Sequence, residues 1–315
     1  MALIECVPNF SEGRRPEVIA AVRDAVAASG PVRILDLSSD SDHNRSVLTL
    51  AGDAASIRAA VEALVAACVE RIDLTRHRGR HPRMGAVDVV PLIPIRGVTM
   101  QECVALAREI GSEIARRHQL PVYLYEEAAT AEHRRDLAAI RKGEFEGFPA
   151  KIRDPLFKPD FGPERVHPTA GCIAVGAREF LIAFNINLAT ADVEIARSIA
   201  RSIRHSSGGL RYVKAMGVML ESRGLAQVSI NMTNFHGTPL HRVFEMAKSE
   251  AARHGVAITS SEIVGLAPED ALLQVAEFFL RLEGFDASRT VLERRLEQEP
   301  SSPPPPGAAR GDEGG

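Results

Sequence analysis

Apolar positions recur along the chain at two spacings, and the switch between them marks the elements. Residues 3–7 read as a short buried strand and 8–13 as a loop. Pro16 suits the first turn of a helix, where a missing N–H costs nothing. Val18, Val22, Ala25 and Val26 fall at helical spacing until Gly30 and Pro31 stop the run. Strands are predicted at 32–37 and 47–51 with the polar run 38–45 between them. A helix is predicted over 54–72, with Ile57, Val61, Leu64, Val65 and Cys68 on one face. Residues 87–95, rich in β-branched side chains, read as a buried central strand. Thr99 can cap a helix to about residue 117. A strand at 121–125 and a charged helix over 130–142 come next. The stretch 143–168, with its prolines and glycines, reads as a long irregular segment.

From 171 the pattern begins again. Strands are predicted at 171–175, 180–186, 214–220, 226–231 and 256–264, and helices at 193–205, 239–254 and 268–282, the first capped by Asp192. Two halves of similar β/α order emerge, without a residue-by-residue repeat. The expected class is α+β, an α/β sandwich of two similar subdomains, 1–177 and 178–298. Each is expected to be a mixed β-sheet covered by helices, with a ligand cleft between the two. Residues 299–315, dominated by Pro and Gly, cannot bury a core and are expected to be disordered.

Composition narrows the function. With 38 Lys and Arg against 41 Asp and Glu, the net charge of −3 leaves no basic excess for nucleic acid. The absence of Trp argues against a base-stacking platform. The four cysteines, Cys6, Cys68, Cys103 and Cys172, form no CxxC pair, so reduced thiols are expected. No leader precedes Leu3 and no apolar run approaches the roughly 20 residues that span a bilayer, so a soluble cytoplasmic protein without membrane partners is expected.

An anionic ligand must then meet a local positive cluster. Arg76-His77-Arg78-Gly79-Arg80-His81-Pro82-Arg83-Met84-Gly85 supplies four arginines and two histidines just before the central strand. Arginine forks pair with carboxylates, histidine moves protons near neutrality, and glycine lets a backbone approach a ligand. A solvated basic loop has the same composition. Metal is disfavoured, because Gly79 and Pro82 break the helix that would align His77 with His81. Asp40-Ser41-Asp42-His43-Asn44-Arg45 reads as a polar hairpin turn, with Asp42 and His43 as weaker site candidates. The segment 161–171 lies between the halves, as a linker or a ligand segment. Asn185 and Asn187 share one side of a strand, as pterin-binding amides or as strand-end caps.

Further residues carry a resemblance. Glu5-Cys6-Val7-Pro8-Asn9-Phe10-Ser11-Glu12-Gly13 is similar to the opening of the glutamate formimidoyltransferase family. The likeness continues through Asn44-Arg45, His81-Pro82-Arg83-Met84-Gly85-Ala86, Pro121-Val122-Tyr123-Leu124-Tyr125, Asp160-Phe161-Gly162-Pro163, residues 180–187, Ala226-Gln227-Val228-Ser229 and Val264-Gly265-Leu266. It covers about residues 2–285. The resemblance implies transfer of a formimidoyl group from N-formimidoyl-L-glutamate to N5 of tetrahydrofolate, a co-substrate, in histidine degradation and without a metal. It implies His81 as the catalytic acid–base residue. It also implies a folate-binding segment at Gly162-Pro163-Glu164-Arg165-Val166-His167-Pro168-Thr169-Ala170-Gly171. The glutamate moiety is assigned to Arg45, Arg78, Arg83, Asn185 and Asn187, and Asp42 and Asp88 are candidate partners of His81. A homodimer and a separate cyclodeaminase are expected. Residues 164–170 follow the animal pattern in outline only. The alternatives are formyl transfer between N-formylglutamate and 5-formyltetrahydrofolate, and a non-catalytic folate-binding protein.

Overall fold

The computed structural model describes residues 2–79, 82–221 and 223–297. Contacts divide the chain into two units, Met1–Phe180 and Leu181–Gly315.

In the first unit, β1 (Leu3–Cys6) and β2 (Asn9–Phe10) are two pieces of one interrupted strand. Both pair antiparallel with β4 (Arg45–Gly52) on one side and β5 (Val87–Arg96) on the other. Pro8 marks the interruption, because proline has no N–H to give the ladder. β3 (Arg33–Asp40) pairs with β4 at the edge. Beyond β5, the strands β7 (Ile173–Ala177) and β6 (Val122–Glu126) add in parallel. Helices α1 (Pro16–Ala27), α2 (Ala54–Arg71) and α3 (Met100–His118) cover one face. Their apolar stripes meet Ile4, Cys6, Phe10, Leu48, Leu50, Val90 and Leu92 in one core. Thr99 caps α3 as the sequence predicts, in a capping box with Glu102, and Asp53, which the sequence reading did not single out, caps α2 by accepting from Ser56 N–H. The opposite face carries a smaller core of Met84, Val89, Tyr123, Tyr125, Ile140, Phe148, Cys172 and Ala174. Two short helices supply its cover, α4 (Leu137–Arg141) and α5 (Glu144–Lys151).

In the second unit, β8 (Ile182–Leu188), α6 (Val193–Ile203), β9 (Val213–Leu220), β10 (Leu225–Met232), α7 (Leu240–Arg253) and β11 (Ile258–Val264) form a sheet of order β11-β8-β10-β9, and α8 (Glu269–Leu280) follows. Counted in chain order from the start of each unit, the first four strands lie 4-1-3-2 in both, with a helix after the first and after the third. This is the split β-α-β arrangement, and it is the physical content of the similar halves. Every pairing in the second sheet is antiparallel, so the mixed character expected of both sheets is carried by the first.

Two local expectations change. The helix expected over 130–142 is a turn of 3-10 helix at Glu132–Arg134 followed by α4. Its charges go elsewhere: Arg134 pairs with Asp160 at 2.9 Å and donates to the carbonyls of Leu156 and Lys158. The stretch expected to be irregular contains α5, despite Gly147 and Pro149. Phe148 packs edge-on to Tyr123 with ring centroids 5.6 Å apart, and Lys151 Nζ donates to the carbonyls of Ala139, Ile140 and Lys142 at the end of α4. Tertiary packing overrides local propensity here.

All four cysteines are buried and unpaired. No helix among the described residues is long and apolar enough to cross a membrane.

Candidate active site

The β3–β4 hairpin turns through Asn44, which is buried and sits at φ 51°, a left-handed conformation that Asn tolerates better than most residues. Three segments meet on it. Its Oδ1 accepts from Gly13 N–H at 2.9 Å, its Nδ2 donates to the Arg78 carbonyl at 3.0 Å, and its own carbonyl meets His77 Nε2 at 2.8 Å. The fit needs glycine on both sides. A Cβ on Gly13 would lie 2.2 Å from the Asp40 carbonyl oxygen, and one on Gly79 would lie 2.2 Å from that of His43. The arginine-rich loop is therefore pressed onto the hairpin by backbone contact.

His77 is only 6% exposed, and its protonation follows from its partners. Arg83 Nε donates to His77 Nδ1 at 3.1 Å, so Nδ1 holds the lone pair and Nε2 holds the proton given to Asn44. Burial pushes the imidazole pKa down, the hydrogen bond to Asn44 opposes this, and the Arg83 charge adds to the depression. His77 is a neutral strut. The Arg83 guanidinium continues outward, donating to Glu144 at 2.9 Å and to both carboxylate oxygens of Glu146 at 2.6 and 2.9 Å. The acidic first turn of α5 is thereby tied to the loop, and Phe145 N–H also bonds the Arg83 carbonyl.

Asp88, 2% exposed on β5, accepts from Met84 N–H at 2.8 Å and from Arg141 Nη2 at 2.6 Å. Arg45, half-buried, lies in the field of Asp88, Arg141 and Asp40, and burial lowers its guanidinium pKa. Arg78 and Arg76 are exposed; the Arg78 guanidinium donates to the carbonyls of His77 and Thr75. His43 pairs with Asp40 at 2.9 Å on the outside of the turn, and Asp42 is exposed beside it.

The segment carrying Gly162 to Gly171 lies in the same unit, and its second half is laced to both flanks of the loop. Leu74 N–H bonds the Thr169 carbonyl before the loop; Ala86 N–H bonds Ala170 and Cys172 N–H bonds Met84 after it. His167 and Gly171 exchange backbone hydrogen bonds, and His167 Nδ1 accepts from Ala170 N–H at 3.0 Å, which leaves the ring proton on Nε2. Burial lowers the His167 pKa. Gly162, at φ 89°, packs on the Leu120 carbonyl, where a Cβ would come within 2.3 Å. Pro163, Val166 and His167 are half-buried, Glu164 pairs with Lys158, and Arg165 and Pro168 are exposed. His81 and Arg80 lie outside the described residues, as does the tail expected at 299–315.

Asn185 and Asn187 belong to the second unit and form part of an amide ladder. Asn187, 1% exposed, donates to Ser260 and accepts from Gln227 Nε2 at 2.9 Å; Asn185 and Gln227 both donate to Glu262. They are mid-strand partners rather than strand-end caps. Among the described residues no group of three or more His, Cys, Asp or Glu is arranged to hold a metal ion.

The sequence reading missed Asn44, Glu144, Glu146 and Arg141. Asn44 stood inside a segment of family likeness, but nothing in spacing singled it out. The Arg83 and Asp88 partners lie more than 50 residues away and leave no local signal.

Residues 3–178 match the family described as the formiminotransferase domain, N-terminal subdomain, and residues 183–293 match the formiminotransferase domain. The chain belongs to the formiminotransferase family. The glutamate formimidoyltransferase of Streptococcus pyogenes serotype M1 is 49% identical over 294 residues, which cover 93% of this formiminotransferase chain and 98% of that protein. The glutamate formimidoyltransferase of Thermoplasma acidophilum is 46% identical, covering 95% and 98%. The formimidoyltransferase-cyclodeaminase of Sus scrofa is 44% identical, covering 89% of this formiminotransferase chain and 53% of that longer protein.

Proposed function

We propose that the chain transfers the formimidoyl group of N-formimidoyl-L-glutamate to N5 of tetrahydrofolate and releases L-glutamate, in histidine degradation in the cytoplasm. The near-full-length likeness to two glutamate formimidoyltransferases carries this reading. N5 attacks the formimidoyl carbon, a tetrahedral intermediate forms, and its collapse expels the glutamate nitrogen. The attacking amine loses a proton and the leaving nitrogen gains one; His81 serves both steps. Arg78 and Arg45 are the cations assigned to the substrate carboxylates; Asn185 and Asn187, whose amides are taken up by Glu262, Ser260 and Gln227, are left out of that assignment. Arg83, committed to Glu144 and Glu146, shapes the loop that carries Arg78. The segment Gly162 to Gly171 contributes the folate contacts, and its lacing to the loop supports acting on both substrates together. Orientation of that kind is worth several kcal/mol of barrier, on the order of half the effect attainable in model reactions.

Exposed Phe278, Phe279 and Leu280 on α8 support self-association into a homodimer, which sedimentation tests. The activity test is release of glutamate from N-formimidoyl-L-glutamate by the purified protein. Release that requires tetrahydrofolate, with 5-formimidoyltetrahydrofolate accumulating, is the expected result. Release from N-formylglutamate alone overturns it in favour of formyl transfer. Binding of folate without release from either donor leaves a binding protein.

A further inference from the structure

On β1, Ile4 and Cys6 point into the core beneath the three helices. Glu5 between them therefore points to the opposite face of the sheet. It lies beside Ala51 of β4 and Ile93 of β5, and Arg178 follows β7 one position beyond the Leu92–Ala177 pair. Glu5 is 6% exposed. Among the described residues its carboxylate makes no hydrogen bond and no ion pair; the Arg178 charge acts on it only through space, and burial raises its pKa to about 7. The Arg178 guanidinium is turned to the Glu179 carbonyl and the Tyr125 hydroxyl. Tyr125 is held there by Gly176, where any Cβ would come within 2.5 Å of its ring. The residue is largely buried but its carboxylate oxygens are not sealed off, so a ligand that brings donors can reach them.

We infer that Glu5 accepts the paired N–H groups, N3–H and the 2-amino group, on the 2-amino-4-oxo edge of the reduced pterin. The inference rests on the transfer to tetrahydrofolate proposed above. Two planar N–H donors side by side match a carboxylate as a guanidinium does. The carboxylates of the glutamate donor and of the folate tail are repelled from this position. The donor's formamidinium is held within a few bonds of its own carboxylates, which the arginine loop attracts. That loop lies at the other end of β5: six positions separate Val87 from Ile93, about 20 Å at ~3.3 Å per residue. Recognition of carboxylate and recognition of the pterin edge are thus assigned to opposite ends of one strand.

The test measures binding and kinetics of the full chain with Glu5→Gln, which keeps size and replaces an acceptor by a donor. Affinity for 5-formyltetrahydrofolate, measured by calorimetry, is expected to fall about tenfold or more, with the KM for N-formimidoyl-L-glutamate within about twofold of the parent. Independently of any variant, the parent protein should discriminate by a similar factor against the analogue whose 2-amino group is replaced by methyl. Glu5→Gln should no longer distinguish the two. Unchanged folate affinity, or equal binding of the two analogues by the parent protein, overturns the assignment. So does a rise in the KM for N-formimidoyl-L-glutamate with folate affinity intact, which gives the carboxylate to the formamidinium. A parent protein that binds no reduced folate overturns the transfer reading itself, whatever Glu5 does.

Discussion

Arg83 donates from Nε to the Nδ1 atom of His77 across 3.1 Å, and that bond decides which ring nitrogen of His77 carries its proton. It holds only while the imidazole is neutral. Protonation at Nδ1 would remove the acceptor and set two cations side by side.

Stability is therefore expected to depend on acid pH through His77. Its folded pKa is lowered by burial, so the unfolded chain takes up the proton first, near the ordinary value of about 6.5. Stability falls as pH drops below that value and stops falling below the folded pKa. His167 and His241, also lowered by burial, act in the same direction. Thermal midpoints measured from pH 7.5 to 5 should fall less steeply in His77→Gln than in the parent. Equal slopes would show that His77 contributes nothing to the titration.

Arg83→Lys keeps the charge and loses the fork that reaches Glu144, Glu146 and His77 together. Loss of these charge-assisted bonds is expected to destabilise the unit by about 2 kcal/mol in urea denaturation. Arg76→Lys, at an exposed position in the same loop, is expected to change stability by less than about 0.5 kcal/mol.

Gly79→Ala places a methyl group where the His43 carbonyl oxygen lies 2.2 Å away. The loop must lift off the hairpin. A displacement on the order of 1 Å at reacting groups costs about 100-fold, and kcat/KM should fall by that order, with the thermal midpoint falling as well because the bonds of Asn44 to Arg78 and His77 loosen. Normal turnover would show that the loop position is immaterial to the reaction.

His81→Ala is expected to lower kcat by about 100- to 10,000-fold while leaving the Kd for tetrahydrofolate within about twofold, the pattern of a proton-transfer group rather than a binding one. Near-normal turnover would remove His81 from the mechanism.

Most elements were legible because their signals are local. The stripe of α2, the Thr99 cap of α3 and the β-branched run of β5 each follow from spacing within a few residues. The pieces that were not legible depend on distant partners. α5 forms around Gly147 and Pro149 because Phe148 packs on Tyr123 and Lys151 caps α4. β2, only two residues long, exists because β4 and β5 flank it. The same division runs through the site. The density of arginine and histidine at 76–83 marked the loop, but its anchoring by Asn44, 33 residues earlier, and by Glu146, 63 residues later, belongs to the fold. Glu5 carried no pattern at all, since a single acid between apolar residues reads as an ordinary alternation.

The burial of every cysteine has a practical consequence. Each thiol is held in its protonated, unreactive form: burial raises Cys103 to about 11 and Cys6, Cys68 and Cys172 further still. Maleimide and iodoacetamide should find no target in the native chain. One cysteine introduced at the exposed position of Arg76 would then be the sole point of attachment for a dye or spin label, and the arginine loop could be watched during turnover without first stripping the protein of its own sulfur.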